Sequence, residues 1–302
     1  MIADHFAQAM AAAGMTPPDS IHADGQLHRF SPTGRRSDWA GWYVLHADGL
    51  PAGVFGCWRT GLTETWCSKA EGSLTPAERD AMRQRVRAAK ALRDAALLQR
   101  QQQAQAAATA RWRAALPAAR HPYLTTKGIA PYNLRVDGCL LLVPLRDTSG
   151  MLHSLQTIAP DGSKRLMGGG RVRGCYHSVG CPDAAIVVGE GMATMHSVHA
   201  ATGLAVAAAL STSNLTPVAV ALRRKFPLLP ILMAADDDHA TEGNPGLSAA
   251  RAAALAVVGA QVVVPQFPAD PPRQATDFND LFCLAGAGAV RACFAEVLEL
   301  TP

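Results

Sequence analysis

Three short acidic clusters hold the residues of this chain best suited to chemistry: Glu190-Gly191, Asp236-Asp237-Asp238 and Asp277-Phe278-Asn279-Asp280. Glu190 follows the apolar run 184–189, and Asp236 follows the apolar run 231–235. Short apolar runs bounded by turn residues read as buried strands, so both acids sit where a strand ends. A carboxylate there does no apolar packing, and two brought together repel unless a cation or a proton lies between them. Mg²⁺ takes carboxylate oxygens and water and completes its shell with substrate phosphates, so the pattern points to metal-assisted phosphate chemistry. Asp236 and Asp238, two residues apart, share one side of an extended backbone while Asp237 faces the other. The competing reading makes each acid the N-cap of the following helix. On the first reading Glu190, Asp236 and Asp238 form the metal-site core, with Asp280 joining through a second ion or an outer-shell contact.

The elements that must position these acids can be traced along the chain. From residue 184, strands at 184–189, 204–209, 228–235 and 261–264 alternate with helices at 192–201, 215–225 and 246–258. Continuous apolar strands separated by helices imply a parallel sheet covered on both faces. Working groups in such sheets lie just beyond the carboxyl ends of the strands, where the acids fall. Asn244-Pro245-Gly246 makes a tight turn at a helix start beside the Asp cluster.

Residues 120–183 read as a mixed α+β segment, with strands at 140–146 and 152–158 around Asp147-Thr148-Ser149-Gly150. Lys164, Arg165, Arg171 and Arg173 then flank Gly168-Gly169-Gly170, a basic loop whose backbone can approach a phosphate closely. No Gly-Lys-Ser/Thr closes that loop, so it is not the P-loop of an ATP-driven motor.

Further upstream, Thr75-Pro76-Ala77-Glu78 has the marks of a helix start, and neither Gly nor Pro recurs until Pro117. This long helix, spanning 74–119, reads as an exposed connector with few large apolar residues after Leu98. Between 75 and 116 it carries nine cations against three acids. That is a solvated face, with a contribution to nucleic-acid binding as the alternative. Residues 1–73 read as a small β-rich domain: a helix at 4–14, then strands at 26–31, 41–46, 54–58 and 63–68. Trp39, Trp42, Trp58 and Trp66 are interleaved there with Arg29, Arg35, Arg36 and Arg59. Such a mixture either stacks on single-stranded bases or fills the core of a small sheet.

Composition sets wider bounds. The 302 residues are 49% hydrophobic and 17% charged with a net charge of +4, which suits a folded chain with more than one domain. No uncharged apolar run reaches the ~18 residues of a membrane span, and the N-terminus lacks a signal-peptide pattern. The expectation is a cytoplasmic protein with no membrane partner. Seven cysteines with no Cys-x-x-Cys pair argue against a disulfide framework and a zinc ribbon, so no zinc is expected. Cys57 and Cys67, with His28 and His46 nearby, match no standard zinc spacing.

Taken together, Glu-Gly after one strand, Asp-x-Asp after another and Asp-Phe-Asn-Asp downstream resemble the Toprim domain of primases, topoisomerases and related nucleases. The closer resemblance is to plasmid conjugal-transfer primases and the primase part of satellite-phage replication proteins, whose signature is Glu-Gly-Tyr-Ala-Thr-Ala. That signature stands here as Glu190-Gly191-Met192-Ala193-Thr194-Met195. Asn214-Leu215, Ala234-Ala235-Asp236-Asp237-Asp238, Asn244-Pro245-Gly246 and Asp277–Leu281 extend the match, as do His121-Pro122-Tyr123-Leu124, Lys127-Gly128-Ile129 and Lys164-Arg165 upstream. The departures are the two methionines and the loop Ser211-Thr212-Ser213-Asn214, where the family has Phe-Asp-Ala-Gly-Asn. The resemblance covers roughly 120–285. It implies RNA-primer synthesis on a single-stranded DNA template from NTPs, with Glu190 as base or ligand and Asp236 and Asp238 on Mg²⁺, or Mn²⁺ in its place. Charge and position alone assign Lys164, Arg165, Arg171 and Arg173 to template or nucleotide phosphates; Asn214 is nominated with them for nucleotide or nucleic-acid contact, and a separate replicative helicase is the candidate partner. The expected fold is α/β: a Toprim-like parallel-sheet domain at 184–302, preceded by the α+β primase subdomain at 120–183, the long helix and the N-terminal β-rich domain. A topoisomerase would need a tyrosine nucleophile, and Tyr43, Tyr123, Tyr132 and Tyr176 have no cleavage-domain setting. A Toprim nuclease uses the same acids, and a non-catalytic single-strand binder of a mobile element is the alternative from another class.

Overall fold

In the computed structural model, the structure describes residues 2–35, 38–69, 71–269, 272 and 274–299, so Arg36 lies outside the described residues. Two compact units emerge, Met1–Gln99 and Arg100–Pro302. The division falls inside one long helix rather than at the 73, 119 and 183 boundaries read from the sequence.

In the first unit, α1 (Ile2–Ala12) precedes a four-stranded antiparallel meander of β1 (His28–Phe30), β2 (Gly41–His46), β3 (Ala52–Cys57) and β4 (Thr63–Cys67). Phe6 and Met10 of α1 pack on Phe30, Tyr43, Leu45 and Phe55. The opposite face buries Trp42, Val44 and Val54 under Ala89 of α2 (Pro76–Ala114). That helix starts on the capping box expected from its sequence: Thr75 Oγ1 accepts from Glu78 N–H at 3.2 Å, and Glu78 Oε2 accepts from Thr75 N–H at 2.8 Å.

The tryptophans and arginines of this unit largely serve one another. Trp42 is buried, Trp66 meets Phe6 at 5.6 Å between ring centroids, and Arg29 lies 4.8 Å over Trp58. Arg93 lies 5.3 Å over Trp42. Trp39, 55% exposed, is the exception among the four. These intramolecular cation–π contacts favour the core reading of the Trp/Arg pattern over base stacking.

The second unit holds two five-stranded sheets. The first is antiparallel: β5 (Leu116–Pro117), β6 (Arg135–Asp137), β7 (Leu140–Arg146), β8 (Leu152–Ile158) and β9 (Lys164–Leu166), with the short α3 (Pro122–Lys127) between β5 and β6 in sequence. Ala108 near the end of α2 is fully buried against Leu142, Leu152 and Leu155 of this sheet, with Trp112 beside it. The exposed connector expected from the sequence is therefore packed at this end. Alanines let helix and sheet approach closely, so an apolar face existed without large side chains to announce it.

The second sheet runs in the order β10-β12-β11-β13-β14. β11 (Ile186–Gly189), β12 (Ala205–Ala208), β13 (Ile231–Ala234) and β14 (Gln261–Val263) are parallel, and β10 (His177–Val179) adds an antiparallel edge. α4 (Met192–Thr202), α5 (Leu215–Lys225) and α6 (Pro245–Leu255) follow successive strands. Side chains alternate along β11: Val187 joins the core shared with α4, α7 (Phe278–Glu299) and the antiparallel sheet, while Ile186 and Val188 face α5 and α6. One core thus unites the 120–183 region with the parallel sheet.

Among the described residues, one helical segment, Phe278–Ala295, is long and apolar enough by composition to cross a membrane. Its Leu281, Val290 and Phe294 are buried in the core with Phe278.

Phe6 is the keystone of the first unit, edge-on to Tyr43, Phe55 and Trp66 at 5.4–5.9 Å. Phe6→Ala is expected to destabilise this unit by about 3–5 kcal/mol. A urea titration followed by tryptophan fluorescence checks this, and an unshifted first transition would contradict the packing described.

Candidate functional site

The site is assembled by strand ends. Beyond β11 and β12 the ladder continues, with Ala209 N–H donating to the Gly189 carbonyl and Leu210 N–H to the Glu190 carbonyl, both at 2.9 Å. Beyond β13, Ala235 N–H reaches the Val263 carbonyl at 2.9 Å and Asp237 N–H the Thr276 carbonyl at 2.8 Å. These bonds draw Glu190, the 210–214 loop, the Asp cluster and the turn before α7 to one edge of the sheet. Leu210 has φ +60, a strained left-handed backbone for a branched residue, where the chain leaves β12.

Glu190, Asp277 and Asp238 are each held by a hydrogen bond. Thr212 Oγ1 donates to Glu190 Oε2 at 2.6 Å, and Thr194 Oγ1, in the first turn of α4, donates to Asp277 Oδ2 at 2.9 Å. Asp238 Oδ2 accepts from the Gly246 amide at 3.0 Å, at the positive end of α6. Glycine is required at 246, since a Cβ would lie 2.6 Å from the Asp236 carbonyl oxygen. Asp237 serves the turn instead: its Oδ1 accepts from Asn244 Nδ2 at 2.6 Å, and Asn244, at φ +42, caps α6.

Asp236 is different. Its Oδ1 is buried and has no hydrogen-bond partner. Its pKa is pushed up to about 8, first by burial and then by the charges of Asp277, Glu190, Asp238 and Asp280. Among the described residues no three His, Cys, Asp or Glu side chains close into a metal cage. The donor set nevertheless fits a hard divalent cation, because an orphaned carboxylate oxygen among four further carboxylates is stabilised by positive charge.

The third cluster divides its labour. Asp280 N–H donates to Asp277 Oδ1 at 2.8 Å, and Asp280 Oδ2 accepts from Thr276 N–H at 3.0 Å and Asp277 N–H at 3.4 Å. This reciprocal cap starts α7, so the N-cap reading describes Asp277, with Asp280 reaching back to it from the first turn and its Oδ1 3.9 Å from Lys127 Nζ. Asp277, whose charge is the largest acting on Asp236, is the site residue the sequence reading passed over, along with Thr194 and Thr212. Asp277 and Thr194 both stand within motifs already quoted. The threonine roles carried no signal, because a hydroxyl's partner depends on the fold.

The basic residues lie on β9 and the loop after it. Lys164, Arg165 and Arg173 are exposed, and Lys164 Nζ lies 5.5 Å over the Tyr123 ring. Arg171 Nη1 is 3.8 Å from Asp147 Oδ2, which offsets its charge. Asn214, nominated for ligand contact, is buried and committed to backbone. Its Oδ1 accepts from Gly174 N–H at 2.8 Å, and its Nδ2 donates to the Cys175 and Ala209 carbonyls at 2.9 Å each. It braces the basic loop against the end of β12. Met192 and Met195, the departures from the signature, are core residues, and Met195 lies directly over Gly189.

Comparison with known proteins places this geometry. Residues 185–288 match the family model for the Toprim domain. The chain is 38% identical over 283 residues to a DNA primase TraC of Escherichia coli, covering 87% of this chain and 26% of that protein. It is 36% identical over 298 residues to another Escherichia coli DNA primase TraC, covering 92% of this chain and 20% of that protein. The chain therefore spans about a quarter or less of the length of these curated relatives. A solved DnaG primase catalytic domain bound to single-stranded DNA is 14% identical with a TM-score of 0.47, over 66% of this chain and 80% of that one.

Two outcomes follow from the site. Folded Asp236 keeps its proton up to about pH 8, whereas an unfolded aspartate loses it near 4, so its contribution to stability is full below about pH 4 and lost as pH rises toward 8. Asp236→Asn is expected to raise the thermal midpoint in chelator at about pH 9 more than at about pH 5. Mg²⁺ should raise the midpoint of the wild type alone; equal pH profiles for both proteins would contradict the assignment. Asn214→Ala leaves three buried backbone groups unpaired and should cost roughly 2–4 kcal/mol by denaturant titration.

Proposed function

We infer, from a chain whose residues 185–288 are a Toprim domain, that it is the primer-synthesising part of a DNA primase. It makes short RNA on single-stranded DNA by Mg²⁺-dependent nucleotidyl transfer from NTPs. The observation that carries this reading is the partnerless Asp236 oxygen among the carboxylates of Glu190, Asp238, Asp277 and Asp280. The two TraC primases, 36–38% identical over most of this chain, support it.

Asp236, Asp238 and Asp277 would hold the ion, Mg²⁺ or Mn²⁺, with Asp280 behind them at the helix cap and no zinc required. Bound there, the ion would supply positive charge against the incoming triphosphate. Glu190 is held through Oε2 by Thr212, which leaves Oε1 to accept the proton of the primer 3′-hydroxyl or to join the ion's shell. Lys164, Arg165 and Arg173 would take template or nucleotide phosphates, with Arg171 partly neutralised by Asp147. Asn214 acts as a positioning residue, holding the basic loop to the catalytic edge. The antiparallel sheet and the parallel sheet work as one catalytic unit. The chain would act in the cytoplasm, in replication of a plasmid, phage or other mobile element, beside a separate replicative helicase.

A primer assay with labelled NTPs, Mg²⁺ and a single-stranded DNA template tests this. Asp236→Ala with Asp238→Ala is expected to lower synthesis by at least about 100-fold while template binding persists. Wild-type protein that degrades DNA without making RNA would establish a nuclease instead. Binding with neither reaction would sink the catalytic reading altogether.

A further inference from the structure

We propose that the groove between β4 and the first turns of α2 binds a single strand of nucleic acid through its phosphates. The groove is a cavity of about 790 Å³ within the first unit. Among the described residues, every charged side chain lining it is positive: Lys69, Arg79, Arg83 and Arg87. Lys69 is engaged with Glu78 at 2.6 Å and Arg83 with Asp80 at 3.0 Å, the latter an exposed pair that a phosphate can replace. Among the described residues neither Arg79 nor Arg87 has a carboxylate partner.

The arrangement suits a polyanion more than a single ion. Arg79, Arg83 and Arg87 recur every four residues, so they form one row along the helix with a rise of about 6 Å between neighbours. That step is comparable to the distance between successive phosphates in an extended strand. Leu74, Met82 and Val86 add apolar lining for sugars and bases, and Thr65 and Cys67 line the groove from β4. A concave groove can take up a strand, whereas a flat anionic membrane does not enter it.

Among the described residues, no aromatic lines the groove. The tryptophans nearby that could have stacked on bases are instead engaged with Phe6, Arg29 and Arg93. Binding there is therefore electrostatic, tolerant of sequence and steep in salt. This site needs neither Mg²⁺ nor NTPs and stands apart from the polymerase reading.

The test is fluorescence anisotropy of the full chain with labelled single-stranded DNA and RNA oligonucleotides, in chelator, across a salt series. Arg79→Gln, Arg83→Gln and Arg87→Gln combined should weaken binding tenfold or more and reduce the slope of log K against log salt by about 2, at about 0.7 per lost phosphate contact. Lysine at the same three positions should retain the slope, since phosphate binding needs the charge rather than the fork. A control pair on exposed helix faces of the other unit, Arg224→Gln with Arg251→Gln, should leave it unchanged. A glutamine variant that binds like the wild type, or a control pair that loses as much, overturns the proposal. Preference for DNA or RNA is read from the two probes. An Asp236→Asn protein that binds normally but makes no primer separates this site's fate from that of the polymerase reading.

Discussion

A single carboxylate oxygen, buried and without a partner, sets the terms for this molecule. Asp236 stands where a central strand leaves the sheet, with Glu190, Asp238, Asp277 and Asp280 contributing negative charge around it. In a low-dielectric setting such a gathering is unfavourable unless protons or a cation intervene. The surroundings manage this by restraining the acids: Thr212 on Glu190, Thr194 on Asp277, and the Gly246 amide on Asp238. None of those bonds reaches the buried oxygen of Asp236. The restraint is what makes the arrangement useful, because acids free to turn away would relieve their repulsion without a metal.

Rigidity for this comes from the sheet and from what is fastened to its edge. Parallel strands β11, β12 and β13 extend their hydrogen bonding past the last regular residue and carry the acids with them. Asn214 then spends all of its side chain on three backbone groups, two of them in the basic loop and one at the end of β12. A shared apolar core joins the parallel sheet to the antiparallel one, so that loop is presented by a fixed scaffold rather than a tether. The backbone that follows the basic residues is therefore pinned, through Asn214, beside the end of β12 in the same unit as the acids.

The cations of the first unit fall into two kinds. Arg29 and Arg93 lie over indole rings and help cover the sheet, a use in which their charge is incidental to their planar surface. Arg79, Arg83 and Arg87 have no ring beneath them and face a groove. The same residue type does packing in one setting and leaves a field for an anion in the other.

The sequence by itself determined the parallel α/β order after residue 184, the capping box at Thr75, and the strand-end positions of Glu190, Asp236 and Asp238. Each of these is local: periodicity, a cap, or an acid following an apolar run. Tertiary structure alone decided the rest. Asp277 both capped α7 and joined the acids, while Asp280 turned back to the cap, a choice made by the path of the turn before α7. Asn214 became a brace because burial put carbonyls and an amide around it. Alanines of α2 packed where no large apolar residue had signalled a face, and the tryptophans found arginines of their own chain. In every such case the deciding quantity was which group lay across from a side chain, and that is set by the closure of sheets and helices, not by spacing along the chain.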